Sequence, residues 1–262
     1  MSNYPASFPD DRPAAPLPPP ARVVLPASAP IITYALLGLT VFFYLLQLGS
    51  TALLGPTPYG MDWLVLYGAK INSLIRAGEV WRFFTPLLLH DGLLHIGFNM
   101  YALLIFGVGL ERHFGHGRFL LLYLLAGFSG NVFSFLFSSS YSIGASTAVF
   151  GLVAAEGIFL YQNRRLFGGQ VKSAISNIIV VVLINLFLGL SPGIDNWGHV
   201  GGLLGGLMFA WFAGPRWEVE GLYPALQLVD RRGLRETMLG AALVTVIFGG
   251  LALMGMLYPF AP

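Results

Sequence analysis

Apolar residues along this chain run in long blocks, not in the alternation of a strand or the narrow stripe of a surface helix. Residues 31–54, 93–110, 118–137, 146–161, 171–190, 197–212 and 239–258 form seven such blocks. Most approach the roughly 20 residues needed to cross a hydrocarbon core, although 146–161 is short. They predict membrane helices, because a helix satisfies its own backbone polar groups in lipid. Between the first two blocks, residues 55–92 are mixed, with Tyr59, Trp63, Tyr67, Trp81, Phe83 and Phe84 among a few charges. That pattern predicts an interfacial segment at the headgroup level. A polar stretch, 215–235, precedes the last block and is expected to carry a short amphipathic piece. Residues 1–30 are rich in Pro and Ala, with Pro18-Pro19-Pro20, and predict a disordered or polyproline-like tail.

Composition sharpens this into a class. Of 262 residues, 56% are hydrophobic and only 10% charged, with mean hydropathy +0.73. Soluble domains carry roughly a quarter charged residues. The fold expected is an all-α polytopic membrane protein. A formal net charge of +2, with scattered basic residues, gives no footing for nucleic acid as a partner. Without cysteine there are no disulfides, thiolate metal sites or cysteine nucleophiles. Of 14 Lys and Arg, only Lys70, Arg76 and Arg82 fall on one side if the N-terminus is cytoplasmic; the others gather on the opposite, cytoplasmic side. The starts of the second, fourth and sixth blocks then share the non-cytoplasmic half of the bilayer.

Those three ends carry the polar residues that stand out, and polar groups inside spans are costly and usually functional. Ser146 opens the fourth block. His199 lies just inside the sixth, in Asp195-Asn196-Trp197-Gly198-His199-Val200-Gly201-Gly202, and His95 and Asn99 share one face of the second. Taken alone, Ser146 reads first as an N-cap, a position where Ser is preferred. The alternative is a nucleophile beside unpaired backbone N–H groups at the positive end of a helix. Gly198, Gly202 and Gly206 recur at four-residue spacing and predict close helix approach. If the partner is the fourth block, that approach brings His199 to Ser146. Asp195 lies four residues before His199, the place of a possible third member of a triad, but it or Asn196 is expected to cap the sixth span instead. His113 and His116, in a cytoplasmic turn with Arg112 and Arg118, read as solvated, and Glu156 as a structural carboxylate. No zinc-binding pattern is present.

Together, GASTAVFGL (144–152), NWGHVGG, HIGFNMYAL and EVWRFFTPLLLHDGLLH resemble the rhomboid family of intramembrane serine proteases, in order and over about residues 31–215. Trp81-Arg82 and Glu111-Arg112 match further family features, and a seventh span after a six-helix core also occurs there. The resemblance implies a dyad of Ser146 as nucleophile and His199 as general base. It implies an oxyanion hole from His95, Asn99 and the Ser146 N–H, with Phe150 against the base and Gly144 and Gly202 in support. His90 matches a family histidine that organises a loop. No metal, ATP or other cofactor is implied. Partners would be the bilayer and single-span or polytopic membrane proteins as substrates. One residue departs from the pattern: Thr147 stands where the family has glycine. Its bulk is expected to strain helix spacing, and its hydroxyl to bond back to a carbonyl one turn earlier. A non-catalytic, client-binding relative is therefore the alternative function.

The expected organisation is a tail over 1–30, a six-helix core over 31–215, a cytoplasmic linker over 216–238 and a seventh span over 239–262. The absence of transit-peptide character points to a bacterial cytoplasmic membrane.

Overall fold

The computed structural model describes residues 25–223 and 225–258. Most of the expected tail lies outside them. The chain forms helices α1 (Ile31–Leu54), α2 (Trp63–Gly68), α3 (Asn72–Arg76), α4 (Leu93–Phe114), α5 (His116–Phe137) and α6 (Ser146–Gln162). Then follow α7 (Arg164–Phe167), α8 (Gln170–Leu188), α9 (Asn196–Ala213), a hairpin of β1 (Trp217–Glu220) and β2 (Gln227–Asp230), and α10 (Leu234–Leu257). Among the described residues, α1, α4, α5, α8 and α10 are long and apolar enough to cross a membrane, and α6 is a shorter apolar helix. The protein is an integral, multi-pass helical membrane protein.

Helix α5 is the centre of the bundle, with α6, α9, α10 and α4 around it. Its side chains are buried on most faces, from Phe119 and Leu122 to Val132 and Phe135. By contrast α8 packs on α6 and α7 and leaves Ile179, Leu183, Ile184 and Phe187 exposed, as a lipid-facing helix can. Helix α1 presents Thr33, Leu36, Thr40, Tyr44 and Gln47 inward, so Thr33, Thr40 and Gln47, polar residues within this apolar block, lie on its buried face.

Small side chains set how closely the central helices meet. On α9, Gly202 and Gly206 lie on the backbone of α6, where a Cβ would collide with the carbonyls of Thr147 and Gly151. Gly201 and Gly205 lie against α5, at Phe133 and Ser129. The glycine pattern thus serves two neighbours at once.

Buried charge organises both rims. The N-terminus of α1 has no cap of its own, and Glu111 at the end of α4 supplies one. Its carboxylate accepts from the Ile32 and Thr33 amides at 2.8 and 2.7 Å and from the Thr33 hydroxyl at 2.6 Å. His116 Nδ1 meets the same carboxylate at 2.6 Å, while the His113 ring stacks on Phe159 with centroids 5.2 Å apart. His113 is therefore packed into this turn rather than solvated, whereas His116 stays exposed, as expected, while it bonds Glu111. In the segment between α1 and α4, Arg82 is 1% exposed and donates to the carbonyls of Ala69 and Leu66 at 2.7 and 3.0 Å, and to Glu79.

The stretch after α9 differs from the expected amphipathic piece. It folds as the β1–β2 hairpin, and α10 starts at Leu234, several residues before the apolar block at 239. Arg118 accounts for this: it holds Asp230 at 2.5 Å, Thr237 Oγ1 at 2.8 Å and the carbonyl of Arg232. Hydropathy alone could not see that first polar turn of α10, which is helical because Glu236 caps the Gly233 amide.

Candidate active site

Three helix starts and one loop converge here. The loop between α5 and α6 is pinned before it reaches Ser146. Lys70 and Ser142 exchange backbone hydrogen bonds, and Lys70 Nζ donates to the carbonyls of Ser138 and Ser140 at 2.9 and 2.8 Å. Burial lowers this ammonium to about 8, against the opposing pull of the Asp195 carboxylate. Next, the Gly144 amide donates to the Pro86 carbonyl at 2.9 Å, and the Ala145 amide to His90 Nε2 at 3.3 Å. Gly144 sits at φ +124°, and a Cβ there would stand 2.7 Å from His95 Nε2, so two constraints demand glycine.

Ser146 is the first residue of α6. It is not the cap that local preference suggests: Ala145 holds that position, and no side chain caps the helix. The hydroxyl turns instead to His199, with Oγ to Nε2 at 3.0 Å. Phe150, one turn on, stacks on the His199 ring at 4.1 Å and 10° and fixes its plane. His199 is 8% exposed. Asp195 caps α9, its Oδ1 accepting from the Gly198 amide at 3.0 Å.

His95 closes the other side of Gly144. The Asp91 amide donates to His95 Nδ1 at 3.2 Å, which assigns the ring proton to Nε2. That Nε2–H lies against the Gly144 Cα, and Ser146 Oγ is 3.7 Å from the point a Gly144 Cβ would occupy. Both groups therefore border Gly144. Asn99 is buried, and its amide donates to the His95 carbonyl at 2.9 Å, leaving its second N–H available.

Thr147 departs from its expected behaviour. Its hydroxyl does not bond back along the helix and has no partner among the described residues. Nor does its bulk part the helices: Gly202 remains in contact with its backbone, and Gly130 of α5 and Gly198 of α9 leave the space its side chain fills.

His90, Gln47 and Lys70 form the site's support. Gln47 exchanges two hydrogen bonds with the His90 backbone, 3.0 and 3.1 Å, tying α1 to this loop. The sequence reading missed Gln47 and Lys70. Their signal was rarity: one amide in an apolar block and one lysine in a weakly charged loop.

Burial, with His95 adding to it, pushes the His90 imidazole down to about 3. The unfolded chain takes this proton near pH 6.5 and the folded chain only near pH 3. Stability from His90 is thus complete above pH 6.5 and is lost as pH falls through that window. The expected loss is about 2 kcal/mol between pH 7 and pH 5. Thermal unfolding in detergent at the two pH values, with His90→Gln removing the pH-dependent part, checks this.

Residues 77–216 match the rhomboid domain. The chain is 44% identical over 185 residues to the Rhomboid protease GluP of Bacillus subtilis, covering 69% of this chain and 34% of that protein. It is 37% identical over 175 residues to RHOMBOID-like protein 7 of Arabidopsis thaliana, 65% of this chain and 55% of the relative. It is 30% identical over 213 residues to the Rhomboid protease AarA of Providencia stuartii, 72% and 74% respectively. The chain thus spans only about a third of the Bacillus protein's length. With the bundle, the match across α4 to α9 and the coverage of the Providencia protein taken together, this chain belongs to the rhomboid family.

Proposed function

We propose that the protein is an intramembrane serine endopeptidase that hydrolyses peptide bonds in or near the transmembrane segments of other membrane proteins. The observation that carries this reading is the 3.0 Å pair of Ser146 Oγ and His199 Nε2, set inside a helical bundle. Ser146 attacks the substrate carbonyl while Nε2 takes its proton; the same proton then goes to the leaving amine. Water, admitted to the acyl-enzyme, reverses the sequence and frees the serine. The oxyanion is met by His95 Nε2–H, the free N–H of Asn99 and the Ser146 amide, at a helix start whose first N–H groups lack intrahelical partners.

The proposed topology places the N-terminus in the cytoplasm and the site in the non-cytoplasmic half of a bacterial cytoplasmic membrane. Residues 31–215 form the protease core in this reading, and the last helix is an appended span. The Lys and Arg asymmetry supports this orientation.

The test is cleavage of a single-span fusion substrate in liposomes. Asn99→Ala and His95→Ala should each lower kcat about 100- to 1,000-fold, the loss expected for one oxyanion donor. KM should change little, because the lost contact forms only as charge develops. Unchanged kcat in both variants would remove these residues from the oxyanion hole.

A further inference from the structure

His199 turns Nε2 to Ser146, and its other nitrogen, Nδ1, is buried with no partner among the described residues. When Nε2 accepts the serine proton, the imidazole already carries a hydrogen on Nδ1, so Nδ1 is a buried donor in need of an acceptor. One turn earlier on the same helix, Asp195 divides its carboxylate. Oδ1 caps α9 through the Gly198 amide, and Oδ2 is buried and also without a partner among the described residues.

The two orphaned atoms match in chemistry, and their residues stand one turn apart on α9, with no direct hydrogen bond between them. Residues four apart stand one above the other on a helix, and side chains lean toward its N-terminus, which tips the His199 ring toward Asp195. Gly198 leaves the space for Oδ2: a Cβ there would come to 2.8 Å from it, with the Thr147 methyl at 3.0 Å on the same point. The charged groups that act on His199 are Asp195 and, from α4, His95. Lys70 acts on Asp195 as well, but its ammonium is taken up by the Ser138 and Ser140 carbonyls. Asp195 is the acid in this set.

We propose that Asp195 is a positioning residue for the dyad: its Oδ2 accepts the Nδ1–H of His199 across one bridging water. This bond holds the tautomer in which Nε2 is free to take the Ser146 proton. It also offsets the positive charge on the ring once the proton has arrived. The proton passes from Ser146 Oγ to His199 Nε2 and goes no further; none is handed on to Asp195. The inference rests on the Ser146–His199 reading and adds a third group to it.

Asparagine separates this role from capping, since it caps a helix as well as aspartate does but carries no charge. In liposomes, Asp195→Asn should leave the thermal midpoint and KM near native values. It should lower kcat on the order of 10- to 100-fold, a milder loss than that of a fully buried triad carboxylate. Acylation by a fluorophosphonate should slow by the same factor. Asp195→Ala should add a lower midpoint. The ¹⁵N spectrum of His199 should show one tautomer, protonated at Nδ1, in the native protein and a mixture in Asp195→Ala. Native kcat, acylation rate and tautomer in both variants would overturn the proposal and leave Asp195 a cap. If the native protein neither cleaves nor acylates, the dyad reading fails; the tautomer, which needs no turnover, still decides for or against Asp195.

Discussion

Ser146→Ala is expected to abolish cleavage of a single-span substrate, and His199→Ala to lower kcat on the order of 10⁴-fold or more. The reason is geometric. A serine hydroxyl is a weak nucleophile until a base removes its proton, and among the described residues the only base within hydrogen-bond reach of Oγ is His199 Nε2, at 3.0 Å. Phe150 holds that imidazole in plane, so substitution of either partner leaves the other without a function. Combining the two substitutions should cost little more than either alone, because the residues act as a unit. Fluorophosphonate labelling gives an independent reading: native protein should label, Ser146→Ala should not, and His199→Ala should label slowly. Cleavage by Ser146→Ala at the native rate would exclude Ser146 as the nucleophile.

Gly202→Ala should have the next largest effect. The added methyl points into the carbonyl of Thr147, one residue after Ser146. Backbone cannot yield as a flexible side chain can, so α9 must move away from α6. The expected cost is about 3 kcal/mol, the upper range for overpacking a close contact. Function should fail before the fold does, since a displacement of about 1 Å between base and nucleophile can cost 100-fold. The measurements are the unfolding midpoint in detergent and the acylation rate of Ser146. Gly249→Ala on α10, where a Cβ meets nothing, is the control and should be neutral. Thr147→Gly reads the same interface from the other side. It empties the space between Gly130 and Gly198 and should destabilise by about 1–3 kcal/mol without raising kcat. A large gain in kcat would instead mean that threonine impairs the dyad.

Much of this protein was legible from residue order. The apolar block 31–54 coincides with α1, and 146–161 falls one residue short of the end of α6. Hydropathy succeeds here because a bilayer selects for length and apolarity, both local properties. The blocks at 93 and 171 were bounded less well: α4 runs on to Phe114 through Glu111 and Arg112. Its last turn is polar because Glu111 serves another helix, α1. The hairpin and the early start of α10 were hidden for the same reason, since Arg118, more than 100 residues away, holds them. The motif residues Ser146, His199, His95 and Asn99 could be named from the chain and given expected roles by resemblance, but not the distances between them.

By itself the sequence determined a helical membrane protein, the approximate positions of its apolar helices and the side chains that could do chemistry. These follow from composition, block length and residue type. Only the tertiary structure decided that Ser146 turns from capping to His199, and that His95, whose Nδ1 accepts from the Asp91 amide, carries its proton on Nε2. It also decided that Thr147 is accommodated by Gly130 and Gly198. Each of these depends on a distance between helices far apart in the chain. Such distances are set by which small residue faces which backbone, a pairing that no single helix records.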